Sequence, residues 1–193
     1  MLTVAAAAVV GVLVGRLTGG STAHLAQQRV RSWGLVVGAA SLQAGAHLSA
    51  FEGAAVAMVL ASGVLLGVCA ARNLHLVGMG LVLAGIALNT GVIALNGGMP
   101  VRASAADDAG VRAVGAAHHL ERDDDFLMAL ADVIPFSPTG EVLSFGDLVL
   151  AVGLADLGAR AMHPRPHRSA LRRAPSGPRH GRRRAELGAA PSQ

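Results

Sequence analysis

The 193-residue chain is 52% hydrophobic and only 15% charged, with a mean hydropathy of +0.51, a balance outside that of an ordinary water-soluble domain. All 16 basic residues are Arg and nine of them fall from Arg160 onward, so the formal charge of +4 and the pI of about 11.2 describe a tail rather than a basic binding face. A single cysteine, Cys69, excludes an intramolecular disulfide and any Cys-based metal cluster.

A helix rising 1.5 Å per residue needs roughly 20 apolar residues to cross a hydrocarbon core of about 30 Å, with roughly 17 to 25 tolerated. Five stretches meet or approach that length. The first, Leu2 to Leu17, is short, but Arg16 can hold its stem in lipid and its head at the interface. No basic residue precedes it and Arg16, Arg29 and Arg31 follow it, which favours a retained span over a cleaved leader.

The second stretch, Trp33 to Leu48, carries Gly34, Gly38, Ser41 and Gly45 on one stripe at 100° per residue, with Gln43 and His47 on the other side. Small residues invite close helix contact and polar ones need partners, so this helix is expected to sit centrally. The third runs from Ala54 to Ala71. On the fourth, Leu76 to Leu95, the residues Gly78, Gly85, Asn89 and Asn96 share one face. The run then breaks through "NGGMP", where Asn96 and two glycines can end a helix and Pro100 forbids its continuation. The Gly pairs at Gly11 and Gly15 and at Gly63 and Gly67 are read as internal packing rather than a dimer seam.

Residues 97–141 form a long connection holding eight of the twelve acidic residues. Ser104 and Asp107 have capping-box spacing, and "DDDFLMALADVIP" places acids at a helix start and stops before a proline, so two short helices are expected there. "AHHLERDDD" is rich in metal-ligating residue types, but its adjacent side chains point apart, and neither a metal nor a cofactor is expected. The fifth stretch, Val142 to Ala159, opens near Asp147. It ends with Asp156 and Arg160 in the spacing of a helical ion pair.

Counting arginines by loop places thirteen on the side of the first loop, Arg72 and the tail, against Arg102, Arg112 and Arg122 in the long loop. Because short Arg-rich loops stay in the cytoplasm, the amino terminus and the 97–141 loop are expected outside and the carboxyl terminus inside. The expected fold class is therefore all-α: a polytopic membrane helix bundle of about five transmembrane helices over residues 1–159. Its spans are about 2–17, 33–48, 54–71, 76–95 and 142–159, with an extracytoplasmic loop carrying short helices. Residues 160–193 mix Arg, Pro, Gly and Ser without periodicity and are expected to be a disordered cytoplasmic tail attracted to anionic lipid headgroups. No aromatic residue interleaves those arginines, which argues against nucleic acid as a partner.

"GRLTGGSTAHL", "RVRSWG", "LNTGVIALNGGMPV", a loop His, "ADVIPF" and "VLSFGDLVLAVG" together resemble a family of uncharacterised bacterial integral membrane proteins. The family pattern is Asn-Gly-Gly-x-Met-Pro-Val, a loop His, Gly-Asp-x-Ile-Pro and a Ser-x-Gly-Asp that opens the last helix. The matching positions here are Asn96 to Val101, His118 or His119, Asp132, Ile134, Pro135, Ser144, Gly146 and Asp147. The chain lacks one residue between Gly98 and Met99, and Ala131 stands where the family has Gly. The resemblance implies a bacterial inner-membrane location and adds no activity.

Asn96, His118, His119, Asp132 and Asp147, with Gln43, His47 and Asn89 from the spans, are the candidate ligand-binding residues, expected to converge on an outward-facing pocket. The leading functional expectation is a non-catalytic envelope component that binds a membrane or envelope partner, or a small ligand, through its outer loop. A membrane-embedded enzyme using Asp147 or Asp132 with a loop His is the alternative, which leaves enzymatic activity open. A small solute or proton permease using Gln43, His47 and Asn89 is the third.

Overall fold

The computed structural model describes residues 2–28, 30–111, 115 and 117–164. Among these are seven α-helices: α1 (Leu2–Leu17), α2 (Thr22–Gln27), α3 (Trp33–Leu48), α4 (Glu52–Arg72), α5 (Met79–Asn96), α6 (Ala103–Ala109) and α7 (Phe145–Ala161). There are also four strands, β1 (Met99–Val101), β2 (His118–Leu120), β3 (Asp132–Phe136) and β4 (Glu141–Ser144).

The five longer helices pack side by side in the order α1, α7, α5, α4, α3. Glycines set their directions. Gly11 and Gly15 of α1 lie against Ala155 and Ala159 of α7, so these two run parallel. Gly78 and Gly85 approach Leu157 and Leu150, so α5 runs antiparallel to α7. Gly63 and Gly67 face Thr90 and Leu83, and Gly38 and Gly45 face Leu65 and Met58, which makes α4 antiparallel to both α5 and α3. Both Gly-x-x-x-Gly pairs thus serve internal packing.

The chain therefore passes back and forth between two ends. One end carries Arg16, Arg31, Arg72 and Arg160; the other carries the sheet, with Arg102 and Arg122. At the arginine end, the fully buried Asn73 accepts from the Arg31 N–H (2.8 Å) and donates to the carbonyls of Arg31 (2.9 Å) and Cys69 (2.8 Å), tying the start of α3 to the end of α4. At the sheet end, Glu141 accepts from the Leu2 N–H and from the Thr3 N–H and hydroxyl, fastening α1 to β4. Although its partial burial acts the other way, these bonds help to draw the Glu141 carboxyl down to about 2.

Large apolar side chains point outward along the helices. Val10 and Leu13 of α1, Trp33 and Val37 of α3, Val64 of α4 and Val152 of α7 are all more than half exposed, while glycines stand at the closest helix contacts and Met79, Val82, Val92 and Ile93 are buried between helices. Helices α4 and α5 are long and apolar enough to cross a membrane; α1 and α3 have 16 residues and α7 has 17. The expectation of five spanning helices is thus met by length and composition at two.

The all-α expectation is corrected by a mixed sheet of order β2-β1-β3-β4, parallel between β1 and its two neighbours and antiparallel between β3 and β4. Strands of three to five residues are too short to display the alternation that marks a strand in sequence, and "MPV" and "DVIPF" read instead as the ends of helices. The first expected loop helix exists as α6, but it begins at Ala103, and Glu121 rather than Ser104 satisfies its first N–H (3.2 Å). The second is replaced by a 3-10 turn, Met128–Leu130, which runs into β3. The last two spans start later than expected, because Gly78 (φ 87°) makes the turn before α5 and Val142 to Ser144 belong to β4. Helix α7 continues two residues beyond the expected end of the bundle at 159; the tail expected to be disordered lies, from 165 onward, outside the described residues.

The α5–α7 contact leaves no room for a methyl group: a Cβ on Gly153 would lie 2.6 Å from the Val82 nitrogen, whereas Gly80 faces open space. Gly153→Ala is expected to cost about 1–3 kcal/mol through overpacking. Gly80→Ala should leave stability unchanged or slightly raised. Thermal unfolding of the two variants in the same detergent checks the contrast.

Candidate functional site

The sheet meets the helices at the junction of β4 and α7. Ser144 caps α7 in a reciprocal capping box: its hydroxyl accepts from the Asp147 N–H (2.9 Å) and Asp147 Oδ2 accepts from the Ser144 N–H (3.2 Å). The Ser144 hydroxyl donates to Asn89 Oδ1 (2.9 Å), and Asn89 Nδ2 donates to Asp147 Oδ1 (2.8 Å). A polar residue on α5 is thereby locked to the first turn of α7. Gly146 allows it, since a Cβ there would collide with the Asn89 side chain.

Ser144 is paired in register with Asp132 of β3, and Asp132 faces His118 of β2 with Nε2 and Oδ2 3.8 Å apart. Asp132 is 6% exposed and its neighbourhood includes the Asp147 carboxylate. Burial first, then repulsion from Asp147, push the Asp132 carboxyl up to about 8. Burial likewise holds the His118 imidazole below its ordinary value, against the attraction of Asp147 and with added repulsion from His47 and His119. Near neutral pH the pair is thus a carboxylic acid beside a neutral imidazole. The buried His118 Nδ1 has no hydrogen-bond partner among the described residues.

Of the eight candidate residues, Asn89, His118, Asp132 and Asp147 come together here, with the exposed His47 close enough to act on His118. Three have other surroundings. Asn96 bonds both backbone groups of Phe126, accepting from its N–H (2.7 Å) and donating to its carbonyl (3.0 Å), and so pins the loop to the end of α5. His119 Nε2 lies 3.0 Å from Asp125, whose carboxylate also accepts from the Arg122 N–H. Gln43 is half-buried on α3 and makes no hydrogen bond to the cluster. Ser144, which matches the Ser-x-Gly-Asp pattern but is not among those eight, belongs to the same network. Its signal was present, because Ser144 and Asp147 have the capping spacing that was assigned to Ser104 and Asp107.

The arrangement is suited to exchanging a proton or a hydrogen bond with a ligand through His118 and Asp132. It is not suited to nucleophilic attack by Ser144, whose hydroxyl is committed on both sides. Among the described residues no group of three or more His, Cys, Asp or Glu side chains is placed to hold a metal ion.

The model of a family described as a family of unknown function (DUF5317) matches residues 30–157. No curated protein and no solved structure matches the chain.

A carboxyl whose value is raised on folding stabilises the fold fully below its unfolded value, here 3.8, and loses that contribution as pH rises through about 8. His118, lowered on folding, acts oppositely: its contribution is present above 6.5 and is lost as pH falls. Asp132→Asn should therefore remove the decline in stability between pH 4 and 8 and leave the acid-side loss due to His118. Melting temperatures of the two proteins across that range test it, and parallel curves would place the Asp132 titration elsewhere.

Proposed function

The chain belongs to the DUF5317 family, whose description carries no activity, and from that premise we propose that it is a multi-pass membrane protein that binds a partner or small ligand through the His118–Asp132 site on its extracytoplasmic side. The single observation that carries the binding reading is the ionisable pair itself. Burying Asp132 beside the Asp147 carboxylate costs stability as pH rises toward neutrality, and groups perturbed in this way are concentrated at ligand and catalytic sites.

Several features support the membrane part of the reading. Large apolar residues of α1, α3, α4 and α7 are exposed along the bundle and glycines stand at the closest helix contacts, an arrangement that suits lipid rather than water around the bundle. Helices α1, α3 and α7 complete five passes if the bilayer thins locally or Arg16 and Arg160 snorkel, since 16 or 17 residues fall a little short of the usual length. Arg16, Arg31, Arg72 and Arg160 stand at the end opposite the sheet, against Arg102 and Arg122 among the described residues beside it, a bias that supports a cytoplasmic arginine end and an outward-facing sheet, as in a bacterial inner membrane. The bundle and sheet cap, up to the end of α7, form one unit, followed by the Arg-rich tail.

One observation also favours a second reading. A protonated carboxyl beside a neutral imidazole is an acid and base pair, which suits an enzyme acting on lipid-linked or envelope substrates. The permease reading has less support, because Asn89 on α5 is bonded to α7 while Gln43 and His47 lie on α3, which packs against α4.

Topology is tested by replacing Cys69 with Ala and introducing one Cys at Ser104 or at Ser176. An impermeant maleimide on intact cells should label only the first, and labelling only the second would invert the orientation. Binding is tested by a thermal-shift screen of envelope-derived small molecules on the purified protein. A ligand at about 100 times its Kd stabilises by about 2.7 kcal/mol, and Asp132→Asn should abolish that shift. Loss of a turnover activity in the same variant, with binding kept, would favour the enzyme.

A further inference from the structure

At the arginine end, a cleft of about 740 Å3 opens between α1, α7, the turn before α5 and the segment leading into α3. Its walls are apolar, with Val12 from α1, Leu76 from the turn, and Leu154 and Leu157 from α7. Its mouth is polar and basic, carrying His75, Arg160 and His163. From Arg160 to Leu154 is six residues of helix, so the apolar wall continues about 9 Å from the basic rim toward the middle of the bundle.

We propose that this cleft is a binding site for an anionic phospholipid of the cytoplasmic leaflet, with the phosphate at Arg160 and one acyl chain along Val12, Leu154 and Leu157. The proposal rests on the membrane reading above and is separate from the outer site. Charge complementarity selects the occupant. Arg160 lines the mouth, Val30 in the cleft wall is followed directly by Arg31, and Arg16 and Arg72 stand at the same end. The only acid at this end among the described residues is Asp156, which engages Arg160 through Nε (2.6 Å). The terminal guanidinium nitrogens of Arg160 make no hydrogen bond among the described residues, so they can take a phosphate oxygen in the manner in which Arg binds phosphate. A zwitterionic lipid gains less, because its own cation faces the same cluster.

The depth also fits. A lipid whose phosphate lies at the interface directs its chains toward the bilayer centre, the direction in which the apolar wall runs. A soluble phosphate would leave that wall unused, and a peptide would have to satisfy its backbone groups against a surface with few polar partners.

The test is native mass spectrometry of the full chain in detergent, titrated separately with phosphatidylglycerol and with phosphatidylcholine. One phosphatidylglycerol should be retained in preference. Arg160→Gln should weaken its retention roughly fivefold. Ala161→Trp, which fills the cleft without removing a charge, should weaken it as much or more. Unfolding temperatures show that both variants fold.

Equal retention of the two lipids overturns the headgroup assignment. Preference for phosphatidylglycerol that survives both substitutions overturns the site and assigns the lipid to the arginines of the tail. The membrane reading fails separately: alkaline carbonate would then release the wild-type chain from membranes, whereas a chain that resists extraction but shows no selective retention refutes this inference alone.

Discussion

The close approach of α5 and α7 governs the architecture. Backbone contacts at Gly85, Gly146 and Gly153 bring the two helices together where any side chain would hold them apart, and Asn89 can then reach both Ser144 and Asp147. Interhelical hydrogen bonds of this kind contribute modestly, typically about 0.6 kcal/mol each in a membrane protein. Their structural consequence is larger than their energy. They fix the rotation of α7 about its axis, and therefore the place at which β4 joins the sheet.

The polar site is a second consequence. With β4 anchored, β3 pairs beside it and presents Asp132 toward the bundle, while β1 carries β2 alongside and brings His118 across from it. Asp147 is already ionically useful to the helix, since a carboxylate in the first turn favours the N-terminal end of the dipole. Asp132 therefore enters an environment that contains one negative charge and little water, and the neutral acid is the form that environment accepts. The same contact that holds the fold together thus creates the unusual protonation state beside it.

What could be read from the sequence follows from the length scale of each feature. Helices of 16 to 21 residues leave a clear apolar record: three of the five expected stretches lie within two residues of a helix boundary at both ends, and the other two at their C-terminal ends. The inward face of α5 was legible because Gly85 and Asn89 obey helical spacing, and the Asp156–Arg160 pair for the same reason. The sheet was not, because its strands are too short to carry a period and, apart from the β3–β4 hairpin, pair residues distant in sequence. Within the candidate site, Asn89 and Asp147 could be placed on helices, but the pairing of Asp132 with His118 depends on strand order, which local spacing does not encode. His118 and His119 were interchangeable in sequence; on a strand, adjacent side chains point to opposite faces, so one meets Asp132 and the other Asp125.

Helix α7 links the two regions with functional potential. Its first turn holds Asp147 against Asn89, and its last holds Arg160 at the mouth of the cleft, about 20 Å of helix apart. Between them lie Gly153, packed on α5, and Ala155 and Gly158, packed on α1. Because both flanking contacts are backbone-close, α7 cannot rotate or slide without separating from a neighbour on each side. The helix is therefore held as a rigid post, with Asp147 bonded to Asn89 at one end and the Arg160 guanidinium at the mouth of the cleft at the other. A ligand at either end meets a preorganised group, and little of its binding energy is spent on ordering the helix that carries it.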